Sequence, residues 1–108
     1  MALPYENYGC VAAKTAMSID SFGIGMPCGF LPESLQSRDS VIEKSILEVW
    51  HKNSAFQYLR SLTANEVCAN CELYVVCRGG CISRIVFDGQ APNGLDPWCP
   101  KKFFPIYI

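Results

Sequence analysis

Four thiols fall within fourteen residues in the run Cys68-Ala-Asn-Cys71-Glu-Leu-Tyr-Val-Val-Cys77-Arg-Gly-Gly-Cys81. Two cysteines separated by two residues can reach one ion or one inorganic cluster, while the backbone N–H groups between them point at the sulfurs and stabilise their negative charge. Cys77 follows closely enough to join that pair, and Gly79 and Gly80 remove side chains where the backbone must turn beside a bulky group. Cys10, Cys28 and Cys99 bring the total to seven. An odd count without an export signal does not read as a disulfide scaffold; it points to metal or redox chemistry in a reducing compartment. A tetrahedral zinc site would use four thiols and strand three, whereas two clusters would employ all seven. His51, the lone histidine, falls on the polar side of its expected helix and reads as a surface residue, not a ligand. Arg78 has two readings, a cation offsetting thiolate charge and an ordinary solvated arginine.

The rest of the composition bounds what such a centre could serve. With 108 residues, half of them apolar, the chain is expected to form one domain over 1–108, with its core at 8–99 and an apolar tail at 100–108. A core of this size leaves a small margin of stability, so bound metal would assist folding as well as function. A net charge of -1 with no block of one sign gives no footprint for nucleic acid or a membrane surface. No apolar run approaches the roughly 18 residues of a membrane span, and residues 1–7 lack the pattern of a signal peptide. The expected location is the cytoplasm.

The elements that must position the thiols read as a small α+β arrangement: an N-terminal β-hairpin, short helices, then cysteine-rich loops. Residues 15–19 have β character, Asp20-Ser21-Phe22-Gly23 signals a turn, and 24–30 return antiparallel, so Cys10 and Cys28 are expected at one end of the hairpin. Residues 31–39 read as loop. Ser45 and Glu48 form a capping box for a helix with Ile46, Leu47 and Trp50 on its apolar face. Ser54 and Gln57 open another helix, in which Phe56, Leu59 and Leu62 recur at three-residue steps and Arg60 is expected to face solvent. After Cys81, Ile82, Ile85 and Val86 share a helical face that Gly89 ends. A Pro/Gly/Asn loop at 90–94 leads to Asp96-Pro97-Trp98-Cys99. Trp50 and Trp98 are expected in the core or as cluster shielding. The tail at 101–108 is expected to pack on the domain's own core, with docking on a partner as the alternative.

The order Cys10, Gly23, Cys28, Cys68-x2-Cys71-x5-Cys77-x3-Cys81 and Cys99 resembles the seven-cysteine signature of the SPASM domain, the C-terminal extension of many radical S-adenosylmethionine enzymes. The likeness covers residues 8–99 and includes the segments 45–50 and 56–60, Gly79-Gly80 and Asp96-Pro97. It implies two auxiliary 4Fe-4S clusters with interleaved ligands: Cys10, Cys28 and Cys81 on the first, and Cys68, Cys71, Cys77 and Cys99 on the second. Their role would be electron transfer or substrate positioning during peptide or cofactor maturation, including haem-type maturation. The partners implied are a radical S-adenosylmethionine barrel, as a domain or a subunit, and a peptide or tetrapyrrole substrate.

Two departures qualify the resemblance. Some members carry a further cysteine soon after the first, where Thr15 and Ala16 stand here, which leaves one iron of the first cluster open to substrate, another ligand or solvent. The Cys-x3-Cys-x2-Cys motif that binds the radical-generating cluster is absent, so the chain is expected to be catalytically incomplete alone. The competing expectations are a stand-alone ferredoxin-like carrier and a zinc-bound structural or interaction module.

Overall fold

Asp20 shapes the first turn, because its Oδ1 accepts the backbone N–H groups of Phe22 at 2.8 Å and Ile24 at 3.0 Å. In the computed structural model, which describes residues 8–103 and their side chains through Lys101, this turn joins β1 (Ser18–Ile19) to β2 (Ile24–Met26). The expected hairpin is present, with Ser18 opposite Met26 and Ile19 opposite Gly25. It is shorter than residues 15–19 suggested. Thr15 and Ala16 belong to a tight turn in which the N–H groups of Lys14, Thr15 and Ala16 all converge on the carbonyl of Val11, and Ala16 bridges Ala12 within that turn rather than extending β1. A third strand, β3 (Asp39–Ser40), pairs antiparallel with β2, placing Ile24 opposite Ser40 and making β2 the central strand. It was hidden in the expected loop at 31–39, which also holds a single 3-10 turn at Glu33–Leu35.

The chain divides into two compact units. The described residues of the first are Val11–Ser61; those of the second are 8–10 and 62–103. In the first unit β3 leads directly into α1 (Val41–Lys44), capped by Ser40, whose hydroxyl accepts the N–H groups of Ile42 and Glu43. Ser45 then adopts φ 83° and redirects the chain into α2 (Ile46–Lys52), accepting the Glu48 N–H at 3.2 Å. The capping serine is as expected, but the apolar face is not. Val49 is the fully buried residue of α2, while Ile46 and Leu47 are exposed. The cause is the close approach of α2 to the sheet: a Cβ on Gly25 would stand 2.9 Å from Val49 Cγ1, so helix and strand meet only because position 25 has no side chain.

The next helix, α3 (Ser54–Ser61), is capped one residue earlier than its Ser54-Gln57 pattern indicates. Asn53 supplies the cap, its Oδ1 accepting the N–H groups of Ala55 at 2.9 Å and Phe56 at 3.4 Å. Phe56 and Leu59 are buried as expected. Arg60 does not face solvent. Its Nε donates to the Ala13 carbonyl at 2.7 Å, and its guanidinium lies 4.7 Å from the Trp50 ring centroid and 5.6 Å from that of Phe56. Long side chains of this kind cover aromatic surface while keeping their polar ends bonded.

In the second unit four short helices alternate with turns: α4 (Glu66–Ala69), α5 (Tyr74–Cys77), α6 (Ile82–Phe87) and α7 (Pro100–Phe103). The α6 helix matches its expected position, with Ile82 and Ile85 buried and Gly89 at φ 87° just beyond its end. Tyr8 supplies the largest fully buried side chain of this unit. The expected packing of the tail at 101–108 rests on side chains from residue 102 onward, which lie outside the described ones. Among the described residues no helix is long and apolar enough to cross a membrane.

Candidate metal centre

Cys68, Cys71, Cys77 and Cys99 are brought to one place by four different local devices. Cys68 sits on α4, which Asn65 caps by accepting the Cys68 N–H at 2.9 Å while its Nδ2 donates to the carbonyls of Asn93 and Gly94. Cys71 lies in the following turn, where its N–H donates to the Cys68 carbonyl and its sulfur accepts the Leu73 N–H at 3.4 Å. Cys77 ends α5. Cys99 arrives from the far side on a loop whose carbonyl at Asp96 accepts the Cys99 N–H at 2.9 Å.

All four line a single cavity of about 220 Å3, together with apolar groups such as Leu73, Leu95 and Pro100. One water needs only about 10–15 Å3 of such space, so the void suits a multi-atom group. A tetrahedral zinc with bonds near 2.3 Å would draw the sulfurs to within about 3.8 Å of one another and leave no void. Among the described residues no three His, Cys, Asp or Glu side chains close tightly enough to hold a single ion. All seven cysteines are free thiols.

The charges around the cavity make the same point. Burial pushes the Cys68 thiol up; hydrogen bonding to Asn65 opposes this, and the neighbouring Cys77, Cys99 and Cys71 add to the upward push. Four thiolates would therefore need compensation. The cations on the wall are Arg84 and Lys101, and each is already engaged by a carboxylate: Arg84 with Asp96 at 2.6 Å, Lys101 with Glu72 at 3.2 Å. Arg78, the cation singled out in the sequence, is not among the residues lining the cavity, and its backbone forms the left-handed cap that ends α5, at φ 54°. Both wall cations also feel the thiols, Lys101 that of Cys71 and Arg84 those of Cys81 and Cys77.

The turn between Cys77 and Cys81 has three successive positive φ values, at Arg78, Gly79 and Gly80. Side chains at the two glycines are excluded by contact as well as conformation. A Cβ on Gly79 would stand 3.0 Å from Tyr8 Cδ1, and one on Gly80 would stand 2.8 Å from Asp96 Cβ. Here the glycine pair does what its sequence position suggested. Tyr8 and Asp96 were not recognised as the reason, because neither their distance along the chain nor their residue types signal it.

Asp96 is buried and saturated with donors. Burial alone would raise its pKa, but the Arg84 guanidinium and the N–H groups of Cys81 and Trp98 overcome this and hold it down at about 2. The carboxylate thus contributes about 2 kcal/mol of stability, in full above the ordinary carboxylate range and lost as pH falls through about 2.

Cys81 lies at the N-terminal boundary of α6, its N–H held by Asp96 Oδ2 at 2.9 Å. Cys10 is exposed, and its neighbour Gly9 is pinned by a 2.7 Å bond to the Arg78 carbonyl. Both belong to the second unit, whereas Cys28 belongs to the first. Cys28 is half-buried in the loop after β2; its sulfur accepts the Phe30 N–H at 3.4 Å and its carbonyl accepts Gln36 Nε2 at 3.0 Å. His51 is exposed on α2 and lines no thiol cavity.

Comparison with known proteins bears on what fills the cavity. The model of the SPASM family, described as an iron-sulfur cluster-binding domain, matches residues 10–72. The chain is 29% identical over 91 residues to the mycofactocin maturase MftC of Mycolicibacterium smegmatis, covering 83% of this chain and 23% of that protein. The crystal structure of Streptococcus suis SuiB bound to S-adenosylmethionine is similar with a TM-score of 0.69 and 31% identity, covering 85% of this chain and 22% of SuiB. A second SuiB structure gives the same values. The chain spans less than a quarter of the length of these relatives.

Proposed function

Because the chain belongs to the SPASM family of iron-sulfur cluster-binding domains, we propose that it carries two auxiliary 4Fe-4S clusters for a radical S-adenosylmethionine maturase that modifies a peptide. The observation that carries this reading is the convergence of Cys68, Cys71, Cys77 and Cys99 on one cavity too large for a single ion. These four would hold one cluster, with sulfur donors alone and an apolar wall that limits access of water. The second cluster, on Cys10, Cys28 and Cys81, rests on the family's cysteine order, with one iron left for a ligand from elsewhere. When bound, the clusters would supply one-electron chemistry.

The chain's own residues have a simpler task. They place the thiols and exclude solvent. The radical S-adenosylmethionine barrel, as a domain or subunit, is the proposed partner; its support is the likeness to MftC, named a maturase, and to SuiB, whose structure was solved bound to S-adenosylmethionine. The proposed setting is the cytoplasm, where thiols stay reduced.

The test is iron and acid-labile sulfide analysis after anaerobic reconstitution. Two clusters give about eight iron and eight sulfide per chain. One zinc per chain with no sulfide would remove the proposal, and about four iron would reduce it to the four-thiol cavity alone.

A further inference from the structure

Asp96 accepts five hydrogen bonds, four on its carboxylate and one on its backbone carbonyl. Its Oδ2 accepts the Cys81 N–H at 2.9 Å and Arg84 Nη2 at 2.6 Å. Its Oδ1 accepts the Trp98 N–H at 2.8 Å and Arg84 Nε at 2.9 Å. Its backbone carbonyl accepts the Cys99 N–H at 2.9 Å. The residue is 4% exposed, and Gly80 is left without a side chain against it. The Arg84 guanidinium that it holds also lies 4.4 Å from the centroid of the Trp98 ring, so one side chain contacts both Asp96 and Trp98 just before Cys99, although Trp98 itself is 67% exposed and not in the core as expected.

We infer that Asp96 is a positioning residue that fixes the loop bearing Cys99 against the start of α6, and so sets the Cys99 sulfur in the cavity with Cys68, Cys71 and Cys77. This rests on the cluster reading above. Cys99 is the one thiol of the four that reaches the cavity from outside the 68–77 segment, and its loop has no strand to direct it. Both carboxylate oxygens are needed, since each receives one backbone N–H and one prong of the guanidinium. An amide at this position replaces one of those oxygens with a donor, which then faces either the Cys81 or the Trp98 N–H.

The experiment compares anaerobically reconstituted wild type, Asp96→Asn, Arg84→Lys and Cys99→Ser by iron and sulfide content, electron paramagnetic resonance, and iron retention against a chelator. Arg84→Lys loses the two-pronged bond but keeps the wall cation and the carboxylate's backbone bonds. Asp96→Asn is expected to retain iron at least about 10-fold less well than wild type and to move its spectrum toward that of Cys99→Ser. Arg84→Lys is expected to keep the wild-type spectrum with lower thermal stability. The inference is overturned if Asp96→Asn matches wild type in spectrum and retention, or if Arg84→Lys moves as far toward Cys99→Ser. Should Asp96→Asn not fold, Arg84→Lys decides: a wild-type spectrum at reduced stability supports the inference, and a Cys99→Ser spectrum overturns it. A wild-type chain that takes up neither iron nor sulfide would instead defeat the cluster reading.

Discussion

The Tyr8 ring is fully buried against Gly79, and its hydroxyl donates to the Pro92 carbonyl at 3.3 Å. Burial, reinforced by the nearby Cys68, Tyr74, Asp96 and Cys77, raises its pKa to about 12, so it remains a neutral phenol across the working range. Packing outweighs hydrogen bonding at this site, because the bond is long and the ring fills the space under the cysteine turn. Tyr8→Ala should therefore cost about 3–5 kcal/mol in denaturant unfolding, while Tyr8→Phe should cost about 1 kcal/mol or less. Equal losses from the two variants would contradict this ranking. At this scale the thiols that share the cavity were legible and their supports were not. Cysteine spacing is local and carries its chemistry in its residue types. Tyr8 and Asp96 act through contacts with residues far along the chain, which no local pattern records.

At the scale of elements, α3 depends on a single side chain that serves three segments. Asn53 is buried; its Oδ1 caps the helix, while its Nδ2 donates to the Ser37 carbonyl at 2.7 Å and Asp39 Oδ2 at 2.8 Å. Asn53→Ala removes the cap and leaves buried partners unsatisfied, with an expected loss of about 2–3 kcal/mol in thermal or chemical unfolding. Ser54→Ala, at the residue that the sequence pattern favours as cap, should change stability by no more than about 0.5 kcal/mol. The reverse order would contradict the assignment of the cap. Helix α6 was readable because Ile82 and Ile85 repeat on one face before a stop. By contrast, β3 has two residues, Asp39 and Ser40, neither with strand preference; it exists because Ile24 and Gly25 of β2 offer it an unpaired edge. The face of α2 was misread for a related reason, since the choice of Val49 is made by the gap over Gly25.

For the molecule as a whole, the two units differ in what holds them. The first has an apolar interior of its own, including Val49, Phe56 and Leu59, whereas the second, among its described residues, surrounds the thiol cavity with few fully buried large side chains besides Tyr8 and Ile85. Stripping iron with a chelator should accordingly speed amide exchange over residues 66–99 and leave the helix at 54–61 close to its protected state. Uniform loss of protection in both units would contradict that division. The α+β class and the hairpin were legible from alternation and turn residues. The partition into units was not, because, among the described residues, it joins 8–10 to 62–103 across the whole of Val11–Ser61. That partition has a consequence for synthesis. On the ribosome, residues 11–61 emerge as one uninterrupted stretch and can fold while the remainder is still being made. Tyr8 emerges before them, yet its seat against Gly79 does not exist until most of the chain has been translated. A residue translated before the first unit thus makes a contact that can form only after that unit is complete.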